Sequence, residues 1–230
     1  MTIPDRVATV SRFRPLTPDS DRRTDGTVLV SYITLRRVVG FLGVGLPVIV
    51  ATVGFVAMGF WRFEPTISDY YRIESARNAF EGILFTIAWF LFTYRGFDRG
   101  DELTGEFACL FALLVAIVPC TVDSLARYHY LAAGGFFITL IVFAFRFRKS
   151  APGGRKTPEK EKRNAVYLTC AIVMILCIAT IGLFGSSLHD SRLLGVPAVY
   201  LLETLALWAF GVSWFIKGEL VLGDKSQAVP

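Results

Sequence analysis

Histidine is nearly absent from this chain, with only His129 and His189 in 230 residues. No HxxxH or HExxH spacing exists, and none of Cys109, Cys120, Cys170 and Cys177 forms a CxxC pair. A zinc centre or a redox dithiol therefore lacks its usual ligands, and a metal held by His129, Glu81 and Glu203 has no spacing to support it. Three of the cysteines fall inside apolar runs and Cys120 ends one. They read as small buried hydrophobes rather than a disulfide framework. A GxSxG elbow is missing, which leaves a Ser68–His129–Asp69 nucleophile arrangement without motif support. No internal repeat appears, so an inverted-repeat transporter is not indicated. No cleavable signal peptide is visible, because the first 37 residues are polar and the first apolar run is long and far in. Neither a metal nor a cofactor is expected.

What the chain does have is apolar length. Hydrophobic residues make up 53% and aromatics 14%, with a mean hydropathy of +0.53. That is the composition of an integral membrane protein. A crossing helix needs about 20 mostly apolar residues. Six runs qualify, near 38–60, 79–95, 105–122, 128–147, 165–185 and 198–217, with Pro47 expected to kink the first. The second and third are short, with Glu81 and Glu106 near an end. The fold class expected is an all-α bundle of six transmembrane helices over 38–218. It is flanked by a disordered cytoplasmic tail (1–37) and a cytoplasmic C-terminal tail (219–230).

The formal net charge is +5, and its placement gives orientation. With the N-terminus inside, the inner segments hold 19 of the 24 lysines and arginines and the outer loops hold 5. The positive-inside rule then gives both termini cytoplasmic. These basic residues flank apolar spans and have no reading helix or aromatic platform, so nucleic-acid binding is not expected. They serve as topology signals, or touch anionic inner-leaflet lipid.

Under that topology the polar groups gather on the outer side. Glu81 falls in the first turn of span two, His129 opens span four, and Glu203 lies inside span six. Ser68, Asp69, Tyr70 and Tyr71 sit in the first outer loop. A carboxylate inside a span is costly and usually faces a bundle interior or a wet cavity. An outward-facing pocket between spans two, four and six is therefore expected, lined by Arg77, Asn78, Glu81, His129 and Glu203 and capped by Ser68, Asp69, Tyr70 and Tyr71. The small residues after His129, Ala132 to Gly135, are expected to let a neighbouring helix approach. The bland alternative is a polar cluster that fixes helix register, with Arg77 paired to Glu81 or Glu203.

The fragments "ISDYY", "RNAFEG", "FTYRGFDR", "HYLAAGGFF" and "LETLALWAFGVSWFIKG" resemble a group of bacterial six-span membrane proteins of unknown function. More distantly the pattern is similar to the DRAM/Sfk-type six-span proteins. The resemblance covers roughly residues 38–218. It implies a multi-pass protein of the bacterial inner membrane. The matching positions are Ser68 and Asp69 in the first outer loop, His129 opening span four and Glu203 in span six. Glu81 departs from the bacterial pattern, which has an apolar residue there.

Three functions stay open at this stage. One is a membrane protein whose outer pocket binds a lipid or other amphiphile. The second is a membrane-embedded lipid-acting hydrolase or transferase with His129 as base or metal ligand and Glu203 as its partner. The third is a small transporter. Membrane lipids are the expected partners, alongside a homo-oligomer or another membrane protein. The small-residue stripe "GFLGVG" in span one serves either dimerisation or, preferably, packing within the chain.

Overall fold

The structure, a computed structural model, describes residues 18–96, 98–149 and 157–221, with side chains from residue 32 onward. Among these residues the chain is all-helical apart from one two-residue hairpin. The helices are α1 (Pro18–Met58), α2 (Glu74–Phe92), α3 (Arg99–Ile117), α4 (Asp123–Phe147), α5 (Pro158–Leu188) and α6 (Ala198–Lys217). A 3₁₀ turn, Ser68–Arg72, precedes α2. Strands β1 (Arg192–Leu193) and β2 (Val196–Pro197) pair antiparallel before α6. The chain divides into two compact units, residues 1–32 and 33–230. Of the first unit the structure describes only its helical turns from Pro18. Everything below concerns the second.

Four helices are long and apolar enough to cross a membrane: Tyr32–Met58 of α1, then α4, α5 and α6. α2 and α3 have 19 residues each but open on two polar turns, which carry Glu74, Arg77 and Glu81 in α2 and Asp101, Glu102 and Glu106 in α3. Two of the helices, α3 and α5, start at a side-chain cap. The Asp98 side chain accepts from Asp101 N at 3.1 Å, capping α3. Thr157 does the same for Lys160 N at 3.3 Å before Pro158 in α5. Both satisfy helix-end N–H groups that have no partner within the helix.

Two sequence expectations change here. The helix containing span one begins at Pro18, inside the tail expected to be disordered; residues 1–17 and 222–230 lie outside the described residues. The helix over the expected second span, α2, starts at Glu74, so Glu81 stands two turns inside the helix rather than in its first turn. Hydropathy marks where a helix is apolar, not where its hydrogen bonding begins, and polar first turns are invisible to it. At Pro47 the helix runs on unbroken. Nearby carbonyls gain partners from α6 instead: Tyr200 OH donates to Pro47 O at 2.8 Å and Trp208 Nε1 to Val44 O at 3.1 Å.

Successive helices from α2 to α6 pack as neighbours, and α6 also returns to α4. The glycines of span one serve packing within the chain. A Cβ on Gly43 would meet the Phe210 ring at 2.8 Å, and one on Gly40 would meet Phe215 at 2.6 Å. One end of the bundle is closed by aromatic rings, with Trp214 lying 5.2 Å from both Tyr94 and Phe147. At that end the Arg146 guanidinium pairs with Asp98 and with buried Asp101, while Lys149 reaches Asp98 at 3.1 Å. Lysine and arginine beside its exposed carboxyl hold Asp98 below the usual aspartate range. His129 is 17 residues before Arg146 on α4. At 1.5 Å per residue the two are roughly 26 Å apart, close to a hydrocarbon core of about 30 Å.

Candidate functional site

The segment Thr66–Asp69 is closed into a turn by its own side chains. Thr66 Oγ1 donates to Asp69 Oδ2 at 2.9 Å, and Asp69 N donates back to Thr66 Oγ1 at 3.0 Å. Short hydroxyl and carboxylate side chains make such turns readily because they reach their own backbone. Three bonds from two other elements, α6 and the α3–α4 connection, then hold the turn. Ile67 N donates to Glu203 Oε2 of α6 at 2.7 Å. The Cys120 thiol, between α3 and α4, donates to Ser68 O at 3.1 Å. Tyr200 N donates to Pro65 O at 3.2 Å.

His129 completes the arrangement from α4. Its Nδ1 lies 2.7 Å from Val118 O and its Nε2 lies 2.9 Å from Ser68 Oγ. A carbonyl only accepts, so Nδ1 carries the proton. In the neutral ring Nε2 then offers its lone pair to the Ser68 hydroxyl. The imidazole is wholly buried, and Ser68 and Asp69 are nearly so, at 8% and 5% exposure. Asp69 does not orient His129. Its carboxylate is taken by Thr66 and by a 3.5 Å pair with exposed Arg72.

The sequence-expected residues thus separate into two groups. Ser68, Asp69, His129 and Glu203 come together. Arg77, Asn78, Glu81 and Tyr71 do not join them. Arg77 sits 4.0 Å from Glu81 one turn on and 5.6 Å over the Tyr71 ring, and Asn78 is exposed. Burial and the Glu81 carboxylate raise the Tyr71 hydroxyl above its ordinary pKa, and burial pushes Tyr70 to about 12. The phase of α2 explains the separation. Its buried residues Ala76, Phe80, Leu84, Ile87 and Leu91 form the inward stripe, and 77, 78 and 81 fall off it. That periodicity was available in the sequence. The parts taken by Thr66, Cys120 and the Val118 carbonyl were not, since each depends on tertiary approach. Burial also lifts the Cys120 thiol to about 11.

Two cavities adjoin this cluster. A small one of about 40 Å³ is lined by Ser68, Glu203 and apolar side chains. A groove of about 630 Å³ runs between α4, α5 and α6. Ala133, Phe137 and Glu203 line both. The small residues after His129 meet the expectation of close approach at one glycine and not at the other. A Cβ on Gly135 would strike the Phe111 ring at 2.6 Å, whereas one on Gly134 would meet nothing within 4 Å. Gly182, on the α5 wall, is equally open. The groove exists because α4 and α5 stand apart where their glycines face. His129 is not among its lining.

Among the described residues no three His, Cys, Asp or Glu side chains come together to hold a metal. No known protein family, curated protein or solved structure matches the chain.

Proposed function

We propose that this is a six-span protein of the cell membrane, with both termini cytoplasmic, that binds a single amphiphile in the groove between α4, α5 and α6. The observation that carries the reading is the groove itself, polar at one end and apolar along its body. Thr66, Tyr130, Ser186, His189, Asp190 and Glu203 form the polar end. Phe137, Ile178 and Ile181, with Gly134 and Gly182, form the apolar part. From Ile178 to the end of α5 at Leu188 is 10 residues, about 15 Å of helix. That is close to one leaflet of a hydrocarbon core of about 30 Å. An acyl chain fits the body while its head stays at the interface. The volume also suits ligand sites of roughly 300–1,000 Å³.

Six spans rather than four is supported by what α2 and α3 expose. Trp89 and Phe92 on α2, and Phe107, Leu110, Leu114 and Ile117 on α3, lie on the outside of the bundle. At 19 residues each, the two helices are about 28 Å long. The orientation rests on the uneven distribution of basic residues, which puts the Ser68–His129 end outward. The similarity to the bacterial six-span group and the DRAM/Sfk-type proteins belongs with this reading.

The head chemistry follows from charge. Glu203 and Asp190 line the groove and, among the described residues, no lysine or arginine does, so a head bearing an amine is favoured over an anionic one. A thermal-shift series tests this in detergent. Lysophosphatidylethanolamine at about 100 times its Kd supplies about 2.7 kcal/mol, a rise of roughly 5–10 °C for a chain of this size. Lysophosphatidylglycerol is expected to give much less. The Gly182→Phe variant, which fills the groove without a backbone clash, should abolish the shift. Equal shifts in wild type and Gly182→Phe would dismiss the groove as the site.

A further inference from the structure

We propose that Ser68 is an acyl-accepting nucleophile, with His129 as its general base, acting on the carboxylic ester of an amphiphile lodged in the groove. The proposal rests on the amphiphile reading for delivery and goes beyond it in assigning chemistry. Its geometric basis is a complete relay. The Ser68 hydroxyl is 2.9 Å from His129 Nε2, and the ring is fixed by Nδ1 on Val118 O at 2.7 Å. A nucleophile, a base and a group that orients the base are the three parts such catalysis needs. Here a backbone carbonyl takes the orienting place that a carboxylate often fills.

The nucleophile is also held still. Glu203 on Ile67 N, Cys120 on Ser68 O and the Thr66–Asp69 turn restrain the backbone on both sides of Ser68. Glu203, Thr66 and Cys120 are positioning residues in this scheme, since none touches the hydroxyl. Ser68 faces the small cavity, whose wall of Ala133, Phe137 and Glu203 is also a wall of the groove.

The step balances without a co-reactant other than water. Ser68 Oγ bonds to the ester carbonyl carbon as its proton passes to His129 Nε2. The tetrahedral adduct collapses, the bond to the alcohol oxygen breaks, and the alcohol leaves with that proton. Water then attacks the acyl-serine, giving a proton to His129. Ser68 Oγ leaves, takes the proton back, and the carboxylic acid is released. The backbone N–H groups of Ile67 and Asp69 are already engaged by Glu203 and Thr66, so they lend nothing to the oxyanion. Turnover is accordingly slow, and covalent capture is the sharper test.

The test treats the purified full-length protein with an alkyl fluorophosphonate and follows the adduct by intact mass and peptide mapping. The expected result is one phosphonyl group on Ser68, absent in Ser68→Ala. Removing a general base lowers such rates by about 10²–10⁴-fold, and His129→Gln should slow labelling by that factor. A wild-type protein that shows the lysolipid thermal shift but stays unlabelled would overturn the nucleophile and leave the binding reading intact. Labelling that is equally fast in folded His129→Gln would overturn the relay. Labelling of Ser68 in Gly182→Phe by dimethyl fluorophosphate, where the lysolipid shift is lost, would support Ser68 independently of the groove.

Discussion

Adding one methyl group at each of two adjacent glycines should move stability in opposite directions. Gly134 and Gly135 are consecutive on α4, so Gly→Ala gives both the same gain in helix propensity, about 0.8–1.0 kcal/mol. That term cancels in the difference between the variants. What remains is steric. At Gly135 the new Cβ would lie 2.6 Å from Phe111 Cε1, while at Gly134 it would meet nothing within 4 Å. Overpacking of this kind costs about 1–3 kcal/mol. Gly134→Ala is therefore expected to be more stable than wild type by up to about 1 kcal/mol. Gly135→Ala should be less stable than Gly134→Ala by about 1–3 kcal/mol. Thermal unfolding of the three proteins in one detergent, followed by far-ultraviolet circular dichroism, reads the difference. Two alanine variants of equal stability would mean that the Phe111 ring yields to the added methyl at Gly135, and a Gly134→Ala weaker than wild type would mean that Gly134 does not face open space.

Other consequences are checked the same way. Arg146→Ala removes the guanidinium paired with buried Asp101, a loss of up to about 3–5 kcal/mol, whereas Lys149→Ala removes an exposed pair worth under about 1 kcal/mol. Asp98 has a folded pKa below its ordinary 3.8, so its stabilising contribution is full above that value and is lost as pH falls through the depressed one. Asp98→Asn should therefore flatten the acid limb of a stability–pH curve. Leu194 holds φ at 53° next to Gly195 at 82° in the β1–β2 turn, a conformation that suits asparagine better. Leu194→Asn is expected to stabilise by up to about 1 kcal/mol. At neutral pH Cys120, raised to about 11 by burial, should resist maleimide in the folded protein, because the thiolate is the reactive form.

Where punctuation and hydropathy agree, the sequence is legible. Span six was expected at 198–217 and α6 is Ala198–Lys217, because Pro197 and Gly218 bracket a mostly apolar run. Span two shows the opposite case. Its helix starts in "ESARN", whose polar side chains read as loop, although they close the same backbone hydrogen bonds as the apolar turns that follow. Placing acids and histidines by depth singled out Ser68, Asp69, His129 and Glu203, which do meet. Depth cannot rotate a helix about its axis, so it also admitted Arg77, Asn78 and Glu81, which the phase of α2 turns away. The groove had no one-dimensional signal. It arises from glycines on two helices, 48 residues apart in sequence, that face each other without touching.

The most direct test of the central claim is native mass spectrometry of the protein released from detergent, wild type beside Gly182→Phe and Glu203→Gln. The amphiphile-groove account predicts one co-purified lipid with an amine head on the wild type. It predicts none on folded Gly182→Phe and reduced occupancy on Glu203→Gln. A bare wild-type polypeptide, or the same lipid retained when the groove is filled, would contradict it.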